Sequence, residues 1–326
     1  MKRRTIIKTI LGGFISSSAL TYWLNPKENK LKFFNGTDLA FGTNISIKLL
    51  HHDEKIASKA IKDSFLALKE IDNIMSLYKS ESQISNLNRE GFLKNPDYRI
   101  LNLLKISNFL SRKTNGAFDP SVQTLWVAAK KRLNTKDFIN LVNWKSVNIS
   151  DKEIKFDKKS MSLTLNGIAQ GYGSDVVQSI LKKYGIKHAL IDTGEFSNIG
   201  TNKNETPWKI GIKDPKENEE FTRIINLDGR ALATAGSYES LISNDGKVHH
   251  IFDPISGESP SELISVSVLA PTAVIADGLS TAFMVMGKKK TINTLKTFKN
   301  IDIFCVDKDG NKIVSKNFPN DLKIKI

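Results

Sequence analysis

The sequence predicts an α+β fold. Segments patterned as strands and as helices alternate irregularly along the 326 residues, where a parallel α/β sheet needs regular alternation. No linker divides the chain, and no internal repeat is visible. At roughly 100–200 residues per domain, the length fits one large or two modest domains.

The elements follow in order. Residues 41–50 (FGTNISIKLL) are apolar and β-branched enough for a strand. Between Glu54 and Met75 the apolar residues Ile61, Phe65, Leu68, Ile71 and Met75 recur at helical spacing, which predicts an amphipathic helix. A polar loop is expected over 76–89. Asp97 is placed to cap a helix from Tyr98 to Ser111. Trp126 to Leu141 reads as helical. Met161 to Leu165 alternates as a strand, and the glycine-rich stretch Gly167 to Gly173 reads as a turn into a helix that Gly185 ends. Ile186 to Ile191 and Leu263 to Ala270 read as strands. Pro271 stands where a helix would start and Gly287 where it would end. Residues 301–306 and 312–314, joined through Asp-Gly, read as a closing hairpin.

Composition excludes several classes. With 40% hydrophobic and 25% charged residues the chain is not wholly disordered. No apolar run approaches the roughly 20 residues of a membrane-spanning helix. A single cysteine, Cys305, rules out an internal disulfide framework and a CxxC site. The formal charge of +14 invites a nucleic-acid or membrane reading. The lysines are scattered, however, and no arginine-rich stripe with interleaved aromatics is present. Lys2, Arg3, Arg4 and Lys8 alone carry four of the excess charges. Those four belong to a basic start, followed by an apolar stretch to Ile15 and a small-residue end at Ser17 and Ala19, the order of an export signal. The paired arginines resemble a twin-arginine signal. Residues 1–30 are therefore expected to be a signal and spacer, and the protein periplasmic, or tethered to the inner membrane if uncleaved.

Four segments carry residues suited to chemistry. Gly116-Ala117-Phe118-Asp119-Pro120 makes a tight turn. Gly167-Ile168-Ala169-Gln170-Gly171-Tyr172-Gly173 would let backbone approach an anion at a helix N-terminus, although it is neither GxGxxG nor a P-loop. His250-Ile251-Phe252-Asp253-Pro254 places an imidazole before an Asp-Pro turn. In residues 270–282 (APTAVIADGLSTA), Asp277 and Thr281 stand one helical turn apart among small apolar residues. Such oxygen ligands suit Mg²⁺, which takes one or two carboxylates and fills its shell with phosphate and water.

These segments, together with MSLY at 75–78 and SQISNLN at 82–88, occur in an order that resembles the ApbE family of FAD:protein FMN transferases. The likeness runs from about Phe41 to Gly287. It implies a single compact fold over 31–326, of mixed, mostly antiparallel sheets flanked by helices, with an FAD cleft. It implies Mg²⁺-dependent transfer of FMN from FAD to a Thr or Ser hydroxyl of a target flavoprotein, with release of AMP. Phe41, Tyr78, Ala117, Phe118, Asp119, Thr164, Gln170 and Ile251 would line the FAD site. Asp277, Thr281 and the Gly167 carbonyl would hold Mg²⁺, and His250, or else Asp277, would act as general base. The target would be a periplasmic or membrane-bound flavoprotein. Gln170 replaces the family's usual Lys or Glu, and Thr164 stands where an Asp is common. Asp192-Thr193-Gly194-Glu195-Phe196 departs from the common Gly-Gly pair toward the NosX-like branch. An exported FAD-binding or FAD-hydrolysing protein without transfer activity is the alternative reading.

Overall fold

A computed structural model describes residues 30–216 and 220–322. Of the signal and spacer read at residues 1–30, all but residue 30 lies outside the described residues. In chain order the strands are β1 (Lys32–Ala40), β2 (Thr43–His51), β3 (Phe92–Lys94), β4 (Val147–Ile149), β5 (Glu153–Phe156), β6 (His188–Asp192), β7 (Phe196–Ile199), β8 (Lys209–Lys213), β9 (Phe221–Asn226), β10 (Ala231–Gly236), β11 (Leu263–Ala270), β12 (Asp302–Asp307) and β13 (Lys312–Val314). The α-helices are α1 (Glu54–Met75), α2 (Gln83–Glu90), α3 (Tyr98–Lys113), α4 (Gln123–Lys130), α5 (Asn166–Lys183) and α6 (Ala273–Leu295). Among the described residues no helix is long and apolar enough to cross a membrane.

Eight strands form one sheet in the order β1-β2-β6-β7-β10-β11-β12-β13, every neighbouring pair antiparallel. Period-two alternation gives the sheet two buried faces. Ala233, Ala235, Val266, Val268, Ile303 and Cys305 face one core with residues of α6. Leu232, Leu269, Phe304 and Val306 face the other, covered by Trp208, Ile210 and Ile225 of the β8–β9 ribbon. The α+β architecture with antiparallel sheets is thus as expected. Three-stranded β3-β5-β4 forms a separate small sheet.

Helix α1 matches its expected bounds. Asp53 caps it by accepting from the Lys55 and Ile56 N–H groups, and Leu68, Ile71 and Met75 are buried. Strand β11 also matches. Other expectations change. The strand expected from Phe41 starts at Thr43, because Phe41 (φ 55°) and Gly42 (φ 75°) form the two-residue hairpin turn from β1. The loop over 76–89 contains α2, capped by Ser82. The helix expected over 126–141 breaks into α4 and a 3₁₀ segment, Thr135–Leu141.

Residues 161–165 are not a strand. Their ladder is supplied by side chains and a distant carbonyl. Asn88 donates to the Leu163 carbonyl and accepts from its N–H (2.8 and 2.6 Å), Thr124 accepts from Ser162 N–H, and Thr164 N–H reaches the Pro120 carbonyl. The glycines of 167–173 lie inside α5, where they allow close packing instead of forming a turn. A Cβ on Gly171 would lie 2.4 Å from the Ala273 carbonyl oxygen, so only glycine lets α5 and α6 meet there. Helix α6 begins at Ala273, after Pro271 and the cap residue Thr272. Its first N–H groups are capped from α5: Asp175 accepts from Ala273 and Val274 (2.8 and 3.0 Å). At Gly287 (φ 68°, ψ 178°) the backbone leaves the helical region, so the stretch begun at Ala273 ends there as expected, and a second helical stretch follows across the kink to Leu295.

Candidate active site

A cavity of about 740 Å³ opens where the first turns of α5 and α6 meet β10 and the segment 239–252. That volume lies within the usual range of small-molecule sites, roughly 300–1,000 Å³. Tyr78, Ala117, Phe118, Asp119, Thr164, Gly167, Gln170, His250, Ile251, Asp277 and Thr281 all line it. Four separated sequence segments therefore converge on one cleft. Phe41 does not line it. Its backbone sits in the β1–β2 turn, and its ring packs beside Gly173 on the far part of α5.

At one wall stands Asp277, 4% exposed. Its Oδ2 accepts from the Gly171 N–H at 2.9 Å, and no hydrogen bond among the described residues uses its Oδ1. Burial pushes its pKa up to about 7, against the Gly171 N–H and reinforced by Asp175. Thr281 is the next residue up the same helix face, and its hydroxyl has no partner among the described residues. A methyl group built at Gly167 would lie 3.1 Å from Thr281 Oγ1, so the Gly167 backbone stands against that hydroxyl.

The residues fit a hard divalent cation. One carboxylate oxygen is free, a hydroxyl lies one turn away, and the Gly167 backbone, which carries a carbonyl, stands against that hydroxyl. No cluster of three or more His, Cys, Asp or Glu poised for a metal exists among the described residues. The donor set is instead one carboxylate with neutral oxygens, the pattern Mg²⁺ accepts when phosphates supply the remainder.

The two histidines separate into different roles. His249 is buried, donates from Nε2 to the Pro260 carbonyl (2.9 Å) and accepts at Nδ1 from the Ile251 N–H. That pattern fixes its tautomer and makes it a strut of the loop. His250 lines the cavity, and its Nδ1 is fully enclosed without a partner among the described residues, while the Ser240 backbone is within reach of the ring. Burial, then the neighbouring His249, lowers its pKa to about 4, so it is neutral at pH 7.

Other expected residues serve through backbone or local structure. Asp119 is buried with both oxygens engaged: Oδ1 accepts from Ser121 N–H and Oγ–H, and Oδ2 from Trp144 N–H. Burial raises its pKa. It holds the turn, leaving Ala117 and Phe118 to shape the wall. Thr164 Oγ1 accepts from Asn166 N–H at the start of α5. Tyr78 stands 83% exposed at the rim.

Sequence reasoning missed Glu195 and Trp126. Trp126 lines the cleft with Lys130 5.4 Å above its ring. Its position in an amphipathic stretch gave no sign of this. Glu195 is 6% exposed and lines the cavity, with Oε2 accepting from Thr234 N–H at 3.1 Å. Burial first, then Asp277, raises its pKa well above the usual carboxylate range. The one available signal was a second acid, three residues after Asp192, in the short turn between β6 and β7.

Residues 41–305 match the model of the ApbE family. Among curated proteins, the chain is similar to an FAD:protein FMN transferase of Vibrio cholerae, 29% identical over 271 residues, 76% of this chain and 80% of that protein. It is also similar to one of Haemophilus influenzae, 26% identical, covering 95% of this chain and 96% of that one. Among solved structures, the ApbE protein of Thermotoga maritima superposes with TM-score 0.79 at 26% identity, covering 87% and 97% of the two chains. The flavin transferase ApbE of Vibrio cholerae superposes with TM-score 0.78 at 25% identity, covering 88% and 98%.

Proposed function

The chain belongs to the ApbE family, and on that premise we propose that it is an enzyme that transfers FMN from FAD to a hydroxyl of a target flavoprotein. The observation that carries the proposal is the pairing of Asp277 and Thr281 on α6 with the first turn of α5 at the wall of one cleft. FAD is the substrate. A Thr or Ser oxygen of the target attacks the phosphorus next to riboflavin, the pyrophosphate bridge breaks, and AMP leaves with the bridging oxygen.

Asp277, Thr281 and the Gly167 carbonyl would hold Mg²⁺, which when bound neutralises phosphate charge as it builds in the transition state. The chain supplies the remainder. Of the first N–H groups of α5, Asn166 donates to Thr164 Oγ1 and Ile168 and Ala169 to the Leu165 carbonyl; that of Gly167, at the cleft, has no partner among the described residues and, with the helix dipole, favours a phosphate there. Phe118 and Ile251, both buried, give an apolar wall for a ring system. His250, neutral and with Nδ1 unpartnered among the described residues, is the preferred base to take the proton of the attacking hydroxyl; Asp277 is the second choice, since metal binding would occupy it.

The N-terminal residues support export by a twin-arginine-type signal, which would place the target in the periplasm or on its membrane. The test uses the full chain with FAD, Mg²⁺ and a target flavoprotein domain. Covalent flavin fluorescence should appear on the denatured target, matched by AMP. AMP and free FMN without a labelled target would replace transfer with hydrolysis. No reaction with an authentic target would overturn the proposal.

A further inference from the structure

We propose that Glu195 supplies a second carboxylate to the cation held at Asp277, an inference that rests on the magnesium reading above. Two consecutive residues of α5 fix both groups. Gln170 holds the loop of Glu195: its carbonyl accepts from Thr193 Oγ1 at 3.0 Å, and its side chain lies against Gly194, where an added Cβ would approach Nε2 to 2.4 Å. Gly171 holds Asp277 through its N–H at 2.9 Å. The two carboxylates are thus pinned to one helical turn, and both line the same cavity.

Glu195 is 6% exposed, and its carboxylate's only hydrogen bond among the described residues is the one Oε2 accepts from Thr234 N–H. Oε1 is left over. The charged groups within its electrostatic reach are Asp277, Glu239 and Asp192, all acidic. No ion pair among the described residues includes Glu195 or Asp277. A cation that enters the cavity from outside the chain would offer this carboxylate the opposite charge that its neighbours do not. Two carboxylates match the charge of a divalent ion and stay within the one or two that Mg²⁺ ordinarily takes. Glu195 also stands in the loop that departs from the Gly-Gly pair common in the resembling family.

The experiment titrates Mn²⁺ into the full-length protein without FAD and counts free ion by electron paramagnetic resonance. Glu195→Gln keeps an oxygen for the Thr234 N–H and removes only the charge. It should raise the Mn²⁺ dissociation constant about tenfold or more. Glu195→Asp, which keeps the charge but withdraws it by one methylene, should fall between Glu195→Gln and the unmodified protein. Asp277→Asn should abolish binding in the accessible range. Unmodified affinity in Glu195→Gln, or in Glu195→Asp if the former fails to fold, overturns this inference while Asp277→Asn still tests the metal site. Absence of binding in the unmodified protein overturns the magnesium reading and this inference together.

Discussion

Two carboxylates in this molecule are equally hidden and differently served. Asp302 at the start of β12 and Asp277 on α6 are each 4% exposed. Asp302 is answered from within the chain: Arg230 Nη1 donates to its Oδ2 at 2.6 Å, and Ser315 Oγ to its Oδ1 at 2.5 Å. Arg230 is in turn shared with Asp228. Asp277 receives one backbone N–H, with Asp175 and Glu195 as its charged neighbours. A charge with a built-in partner holds structure together. A charge buried among its own kind is held in place by the fold for something that arrives later.

The largest expected effect breaks the second kind. Asp277→Asn should lower FMN transfer by on the order of 10³-fold, as removal of a group stabilising transition-state charge does. In chelator its melting temperature should equal or exceed that of the unmodified protein, since a buried repulsion is relieved. A lower melting temperature would assign Asp277 to structure. Asp302→Ala breaks the first kind. It removes one of the two carboxylates that Arg230 holds, leaving Asp228, and the partner of Ser315 Oγ, and should cost about 1–2 kcal/mol in chemical denaturation. Transfer by the folded fraction should be unchanged; a specific loss of rate would end the contrast.

The two histidines repeat the comparison at smaller scale. His250→Gln should reduce the transfer rate about 10²-fold, within the usual range for a general base, with little change in stability because Nδ1 has no partner to lose among the described residues and the glutamine amide can still donate to the Ser240 backbone. His249→Ala should do the reverse. It forfeits the Pro260 and Ile251 contacts and should destabilise by about 1–2 kcal/mol. Equal kinetic losses in both would mean that the loop, not the imidazole, matters.

How much of this was legible follows the same divide. Helix α1 and strand β11 could be read from periodicity, because their burial is set by spacing along the chain. Asp277 and Thr281 could be paired because helical spacing alone puts them on one face. The rest depended on contacts between distant segments. Residues 161–165 alternate like a strand, yet their partner is the amide of Asn88, 75 residues away from Leu163. The glycines of α5 look like a turn, but Gly171 is required by the Ala273 carbonyl of another helix. Phe41 sits in a segment similar to the family's, but its backbone turns it away from the cleft. Glu195 became visible only when β10 supplied the Thr234 N–H and α5 pinned its loop.

The smallest effect is a dependence on pH, and its sign separates the two carboxylate sites. The Asp277 pKa is raised from 3.8 to about 7 in the folded protein. The folded state therefore holds a proton that the unfolded chain gives up above pH 3.8, so this contribution to stability is complete below that value. It is lost as pH rises toward about 7. In chelator, the melting temperature of the unmodified protein should fall across that window relative to Asp277→Asn, by on the order of 3 °C or more. Added Mg²⁺ should oppose the fall at the upper end, because a cation favours the ionised carboxylate that burial disfavours. Parallel pH profiles for the two proteins in chelator would mean that Asp277 ionises without cost, and the distinction from Asp302 would rest on geometry alone.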